Sequence, residues 1–281
     1  MALDQLKSVL TYRFSHDNVR EQPANAGPWA TALAAQAGAH LSVVIATQLH
    51  SVSNVMGASL VSGVVSGENR KLAEAAEARV AAACAAATAA GVECNARVLH
   101  KSYPEVRANL TSCSRLFDVV VADAAPEASS MQRELLVDIL FQAARPLVIV
   151  PAVTTPQLDH VVVAWDGTAP ATRALNDAMP LLRGAKSVDV VTIAGDKELP
   201  DGGHAADIVP HLVRHGIPAT AREIALNRGD AAQTLIHHAV STNAGLLVMG
   251  AYAHSRFRQM VFGGVTSALL KDCPVPLLMS H

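Results

Sequence analysis

Short runs of β-branched and aliphatic residues alternate with longer alanine-rich segments along the whole chain. The runs predict strands over Leu41–Ala46, Ala96–Leu99, Val119–Ala122, Leu147–Val150, His160–Ala164, Val188–Ile193, Ala221–Ile224, Leu246–Met249 and Leu277–Met279, with a weaker one over Ser8–Tyr12. Most are nearly continuous in apolar residues, the pattern of strands covered on both faces of a parallel sheet. Between them, Glu68–Ala90 places Leu72, Ala76, Val80, Ala83 and Ala87 on one helical stripe, and Gly91 follows where a helix-terminating glycine belongs. Asp230–Thr242 predicts a second such helix, with Ala231, Leu235 and Ala239 on its apolar face. Regular alternation of strand and helix predicts an α/β fold with a parallel sheet.

The order of pieces occurs twice. Residues 94–121 read as strand, Ser102-Tyr103-Pro104-Glu105, helix, Phe117-Asp118, strand; residues 219–249 read as strand, Arg228-Gly229-Asp230, helix, Ala244-Gly245, strand. Arg145-Pro146-Leu147-Val148-Ile149-Val150 is similarly matched by Val275-Pro276-Leu277-Leu278-Met279. Two βαβαβαβαβ repeats are therefore expected, over residues 1–152 and 157–281, joined by the Pro- and Thr-rich Pro151–Gln157. Ser51–Gly67, rich in Gly and Ser, is expected to be a long loop.

Composition removes several function classes. Half of the chain is apolar (51%), yet aromatics are only 4%, because 51 residues are alanine. The net charge of −2 gives no basic excess for a nucleic acid or other polyanion. No apolar run reaches the length of a membrane span, and Met1–Phe14 lacks a signal-peptide core. Cys84, Cys94, Cys113 and Cys273 form no C-x-x-C or zinc-type spacing. They are expected to act as small buried apolar groups in a reducing cytoplasm.

Two places carry candidate chemistry. The first strand of repeat two ends Val163-Ala164-Trp165-Asp166-Gly167-Thr168, an acid on a sharp turn at a strand's carboxyl end. The competing reading is an ordinary Asp-Gly turn with Thr168 capping the next helix. The fourth strand ends Val248-Met249-Gly250-Ala251-Tyr252-Ala253, and Gly263-Gly264-Val265-Thr266 opens the last helix. Glycines there let a ligand approach backbone N–H groups at a helix N-terminus, which favours an anion; the competing reading is a plain glycine-bearing loop. In an open α/β sheet, ligands bind beyond the carboxyl ends of the strands at the switch point in strand order. If strands one and four are neighbours, Asp166 and Gly250 flank one crevice.

These segments, with Gly229-Asp230-Ala231-Ala232, His254-Ser255-Arg256 and Cys273-Pro274-Val275-Pro276-Leu277-Leu278, resemble the universal stress protein family, clearly in repeat two and weakly in repeat one. The resemblance implies two five-stranded parallel sheets, each of order 3-2-1-4-5 with helices on both faces. Many members bind ATP through Gly-x2-Gly-x9-Gly-Ser/Thr. Here Gly250 matches the first glycine, Ala253 replaces the second, Gly263 matches the third and Gly264 replaces the Ser/Thr. Asp166 matches the family's acid near the adenosine. The implied nucleotide site comprises Ala164, Asp166, Gly167, Thr168, Met249, Gly250, Ala253, His254, Arg256, Gly263, Gly264, Val265 and Thr266. Its ligand would be ATP or AMP, with Mg only as the nucleotide's companion. Thr266, Ser267, His254, Ser255 and Arg256 are available to replace the missing hydroxyl.

Repeat one lacks these features. Asp123-Ala124-Ala125 stands where Gly250-Ala251-Tyr252 stands in repeat two, and Glu134-Leu135-Leu136 opens its last helix without glycines. A carboxylate at Asp123 would repel phosphate, so no triphosphate site is expected there. The resemblance implies that repeat one packs against repeat two as a pseudo-dimer, with homodimerisation open. The expected function is a cytoplasmic stress-response protein with one adenine-nucleotide site, and at most slow ATP hydrolysis. The alternative is a nucleotide-independent, dimerising interaction module of the same fold. An α/β nucleotide hydrolase is disfavoured, because no nucleophile elbow, P-loop or metal set occurs. Asp207, His211 and His215 recur at helical spacing, but Pro210 interrupts them and a polar helix face is the simpler reading. His237 and His238 point about 100° apart on a helix and share no ligand. Arg256 and Arg258 read as a solvated loop, and Ala81–Ala90 as a surface for close helix packing.

Overall fold

In the computed structural model, residues 3, 5–15, 24–49, 58–125, 130–151, 155–227, 230–251 and 264–281 are described. The strands are β1 (Ser8–Ser15), β2 (His40–Gln48), β3 (Cys94–Lys101), β4 (Val119–Asp123), β5 (Leu147–Val150), β6 (His160–Ala164), β7 (Ser187–Ala194), β8 (Ala219–Ala225), β9 (Leu246–Gly250) and β10 (Leu277–Ser280). The helices are α1 (Ala26–Ala37), α2 (Ala58–Ala89), α3 (Tyr103–Ser114), α4 (Ser130–Gln142), α5 (Ala169–Leu182), α6 (Ala205–Arg214), α7 (Ala231–Ser241) and α8 (Gly264–Lys271). All ten expected strands form, two of them with the expected bounds.

Two helix starts differ from expectation. The segment expected as a loop over Ser51–Gly67 is helical from Ala58 onward, and α4 begins at Ser130 rather than at Glu134. Glycine costs only about 1 kcal/mol in a helix interior. With no proline between residues 58 and 68, α2 simply propagates through Gly63 and Gly67, one hydrogen bond per residue. At its other end Gly91 adopts φ +71°, the left-handed conformation that closes a helix.

The strands form one ten-stranded sheet of order β3-β2-β1-β4-β5-β10-β9-β6-β7-β8. Each half has the order 3-2-1-4-5 with parallel neighbours. The two halves are not separate sheets: β10 pairs antiparallel with β5, Leu278 opposite Val148. That seam joins two strands that would otherwise be exposed edges, so their backbone groups are satisfied within the chain.

Strand residues alternate between two cores. Val9, Val121, Val161 and Val163 face one cluster, filled by Trp29 and Leu33 of α1, Leu175 of α5 and Leu212 of α6. Leu10, Val120 and Val162 face the other, with Leu110 of α3, Leu135 and Ile139 of α4, Leu235 of α7 and Leu269 of α8. Burial on both faces is why the strands read as unbroken apolar runs. The alanines have a packing role: Ala26, Ala30 and Ala34 of α1, and Ala174 and Ala178 of α5, are buried against the sheet. Backbone contact is closest at Gly245, where a Cβ would coincide with the Gln157 carbonyl at the end of the linker.

Candidate functional site

Where β6 ends, the chain turns sharply. Trp165 N–H still donates to Val191 O of β7 at 2.8 Å, and its indole Nε1 donates to Gly202 O at 3.0 Å, which fixes the ring. Gly167 follows with φ +71°, and a Cβ there would also stand 2.8 Å from the Gly203 Cα. The turn therefore requires glycine twice over. Thr168 caps α5, its Oγ1 accepting from Ala171 N at 3.4 Å.

The turn aims Asp166 over the carboxyl end of the sheet. Its Oδ1 accepts from Thr168 N at 3.1 Å and Thr168 Oγ1 at 2.6 Å, and its Oδ2 accepts from Lys197 Nζ at 2.6 Å. Burial pushes this carboxyl up, but the hydrogen bonds from Lys197 and Thr168 outweigh burial and hold it below its ordinary value of 3.8. A lowered folded pKa stabilises the native state above the ordinary value, and that contribution fades as pH falls through the folded value. Acid titration of stability should therefore show a component below pH 3.8 that Asp166→Asn removes. Identical acid limbs for both proteins would refute this role of the Lys197 pair.

β9 is the parallel neighbour of β6, Val163 opposite Val248, so Gly250 and Asp166 emerge on the same edge. Between them lies a cavity of about 250 Å³. Its polar rim is Asp166, Thr168, Asp196, Lys197 and Thr266, with the backbone of Gly250 and Gly264. Its apolar wall includes Trp165, Val191, Leu235 and Met249. Of the expected site residues, Ala164, Asp166, Thr168, Met249, Gly250, Gly264, Val265 and Thr266 all line this one cavity. Gly167 shapes the turn beside it. Ala253, His254, Arg256 and Gly263 lie outside the described residues, as do Tyr252, Ser255 and Arg258.

The glycines at the rim differ in kind. A Cβ on Gly250 would run into Ala171 N and the Pro170 backbone, so this glycine admits the first turn of α5. A Cβ on Gly264 would meet nothing within 4 Å. Thr266 is buried at 5% exposure, one turn into α8.

Sequence reasoning missed Lys197. It lies in the loop after β7, whose carboxyl end adjoins that of β6. The signal was a charged Gly195-Asp196-Lys197 at the end of the neighbouring strand.

The corresponding edge of repeat one is built differently. Asp123 ends β4, and its Oδ1 accepts from Asn25 N at 2.7 Å and Ala26 N at 2.8 Å, the N-terminus of α1. Burial raises this carboxyl, more than the two N–H donors and Arg13 lower it. The N-terminus of α1, the counterpart of α5 in repeat two, is thus capped by a carboxylate that reaches it from the end of β4. In repeat two Gly250 occupies that position, and Thr168 caps the helix instead.

A second polar cluster sits toward the start of β7. Buried Asp189 accepts from Arg222 Nε at 3.2 Å and lies 3.2 Å from His238 Nε2 and 3.9 Å from His160 Nε2. The cluster ties β6, β7, β8 and α7 together. The Asp207 carboxylate accepts from His204 N in a capping box, and His215 lies beyond the end of α6 with its ring 4.6 Å from that of His211. Among the described residues, no group of three or more His, Cys, Asp or Glu is arranged to hold a metal ion. No described helix is long and apolar enough to cross a membrane.

The sequence model of the universal stress protein family matches residues 157–281. No curated protein matches the sequence. Among solved structures, a universal stress protein from Archaeoglobus fulgidus superposes over 99% of this chain and 99% of its own, with a TM-score of 0.71 at 15% identity. A functionally unknown protein from Pseudomonas aeruginosa superposes over 99% of this chain and 94% of its own, with a TM-score of 0.58 at 12% identity. Identities this low speak for the fold, whereas the family match speaks for the half that contains the cavity. Residues 157–281 therefore match the universal stress protein family, and the chain as a whole shares the fold of a solved universal stress protein.

Proposed function

We propose that repeat two binds an adenine nucleotide, AMP or ATP, in the cavity between Asp166 and Gly264, and that the protein is a cytoplasmic stress-response protein acting through binding rather than turnover. The observation that carries this reading is the cavity itself: a carboxylate, an apolar wall and the N-terminus of α8 meet at the carboxyl ends of β6 and β9. Such an edge at a switch in strand order is where open α/β sheets hold ligands. The Asp166 carboxylate suits the hydroxyl and amino donors of a nucleoside, and the α8 backbone suits phosphate. A volume of about 250 Å³ accommodates the nucleoside part, with phosphates directed toward Gly264. Asp123 supports an unequal division of labour, because it places a carboxylate at the strand end where repeat two has Gly250, and a carboxylate there repels phosphate. Repeat one then serves as the structural partner of repeat two across the β5–β10 seam.

Two observations favour the interaction-module reading. Lys197 and Thr168 already satisfy Asp166, and α5 packing already explains Gly250. Thermal unfolding separates the two. Ligand at about 100 times Kd adds about 2.7 kcal/mol to stability. Millimolar AMP or ATP should therefore raise the melting temperature by several degrees. An unchanged melting temperature with both nucleotides would favour the interaction module.

A further inference from the structure

The two oxygens of Asp166 are engaged in different ways. Oδ1 is held inside its own turn, by Thr168 N at 3.1 Å and Thr168 Oγ1 at 2.6 Å. Those bonds belong to the cap of α5, since Thr168 Oγ1 also accepts from Ala171 N at 3.4 Å. Oδ2 is therefore the oxygen left for a ligand donor, and the Lys197 ammonium sits on it at 2.6 Å. Both residues line the cavity.

Lys197 comes from residues 195–204, the loop between β7 and α6, 31 residues from Asp166 in the chain. The rest of that loop is anchored without it. Trp165 Nε1 donates to Gly202 O at 3.0 Å, Gly203 N to Pro200 O at 2.8 Å and Ala205 N to Thr192 Oγ1 at 2.9 Å. The Lys197 side chain is 45% exposed against 30% for Asp166. The ammonium thus has water beside it and swings out on its four-carbon stem while the anchors stay in place.

We propose that Lys197 is a displaceable latch on the nucleoside subsite, an ammonium of this chain held where a ligand's hydroxyl or amino donor would bond Asp166. The inference rests on the nucleotide reading above and adds a regulation to that site. An ammonium and a neutral donor compete for one carboxylate oxygen, so affinity follows the difference between two contacts rather than the Asp166 contact alone. Removing the Lys197 charge should then tighten, not weaken, a neutral ligand. Salt screens an ion pair more than a hydrogen bond to a neutral donor, so salt should tighten that ligand as well. A purely structural role for Lys197 predicts the reverse, because loosening the loop would weaken every ligand.

The test is calorimetric titration of the full chain with adenosine, which carries no phosphate whose attraction to Lys197 would change. Lys197→Met keeps the length of the side chain and removes the charge. It should bind adenosine about fivefold more tightly than wild type, the upper range for a partly exposed ion pair. Raising sodium chloride from about 0.05 M to about 0.5 M should tighten adenosine in the wild type and not in Lys197→Met. Lys197→Arg, which keeps the charge, should restore the salt response. Tighter binding in Lys197→Met, or binding that only this variant shows, supports the latch. Equal or weaker binding in a folded Lys197→Met overturns it and leaves the nucleotide reading standing. Binding of neither adenosine nor AMP to either protein overturns both. If the methionine variant fails to fold, the wild-type salt series decides: affinity that rises with salt supports the latch, and affinity that stays level or falls overturns it.

Discussion

Gly250→Ala is expected to destabilise the protein by about 3 kcal/mol, whereas Gly264→Ala should leave stability unchanged or raise it. Both glycines stand at positions of one nucleotide-binding motif, Gly250 matching its first glycine and Gly264 replacing its Ser/Thr, yet they meet different surroundings. At Gly250 the added methyl collides with the main chain of Pro170 and Ala171. Those atoms belong to the first turn of α5, whose Leu175, Ala174 and Ala178 are locked in the core. Backbone anchored in this way cannot yield as the tip of a long side chain does, so β9 or α5 must shift. At Gly264 the methyl enters open space, and replacing glycine by alanine at an unstrained position narrows the unfolded ensemble, worth about 0.4–1 kcal/mol. Denaturant unfolding of the two variants measures both effects. Equal stabilities would mean that α5 does not pack on the end of β9 as described.

That contrast marks the limit of what the sequence made legible. Strand positions were readable because each strand is buried on both faces, so Val161-Val162-Val163 is apolar without interruption. The order of strands in each half followed from the family resemblance. The join was not readable, because β5 and β10 carry the same aliphatic pattern whether they lie at edges or face each other. The start of α2 was missed because glycine and serine mark loops only when packing does not oppose them. At the site, Asp166, Thr168 and Gly250 were found through their places at strand ends. Lys197 was not, because its contact with Asp166 spans 31 residues and depends on β7 lying beside β6. The reason for Gly250 was likewise invisible: a motif glycine reads the same whether a ligand or a helix approaches it.

Asp166→Ala is expected to weaken adenine-nucleotide binding by about 100-fold while changing folding stability by less than about 1 kcal/mol. Hydrogen bonds to a charged acceptor contribute about 1.5–3 kcal/mol each when water is excluded, and Asp166 is the cavity's carboxylate on the β6 turn. The stability cost is small for two reasons. The Lys197 side chain is 45% exposed and returns to water when its partner is removed. Thr168 keeps its capping bond to Ala171. Calorimetric titration beside denaturant unfolding separates lost binding from lost folding. Undiminished affinity in a folded Asp166→Ala variant would move the ligand away from this turn.

The most direct measurement is a crystal structure of the full chain grown with AMP or ATP at saturating concentration. The nucleoside is predicted between Asp166 and the Trp165–Met249 wall, with a hydroxyl or amino group on the Asp166 carboxylate and the phosphates at the start of α8. A nucleotide bound elsewhere, or an empty cavity with Lys197 still paired to Asp166 at that concentration, would contradict the assignment of this cavity as a nucleotide site.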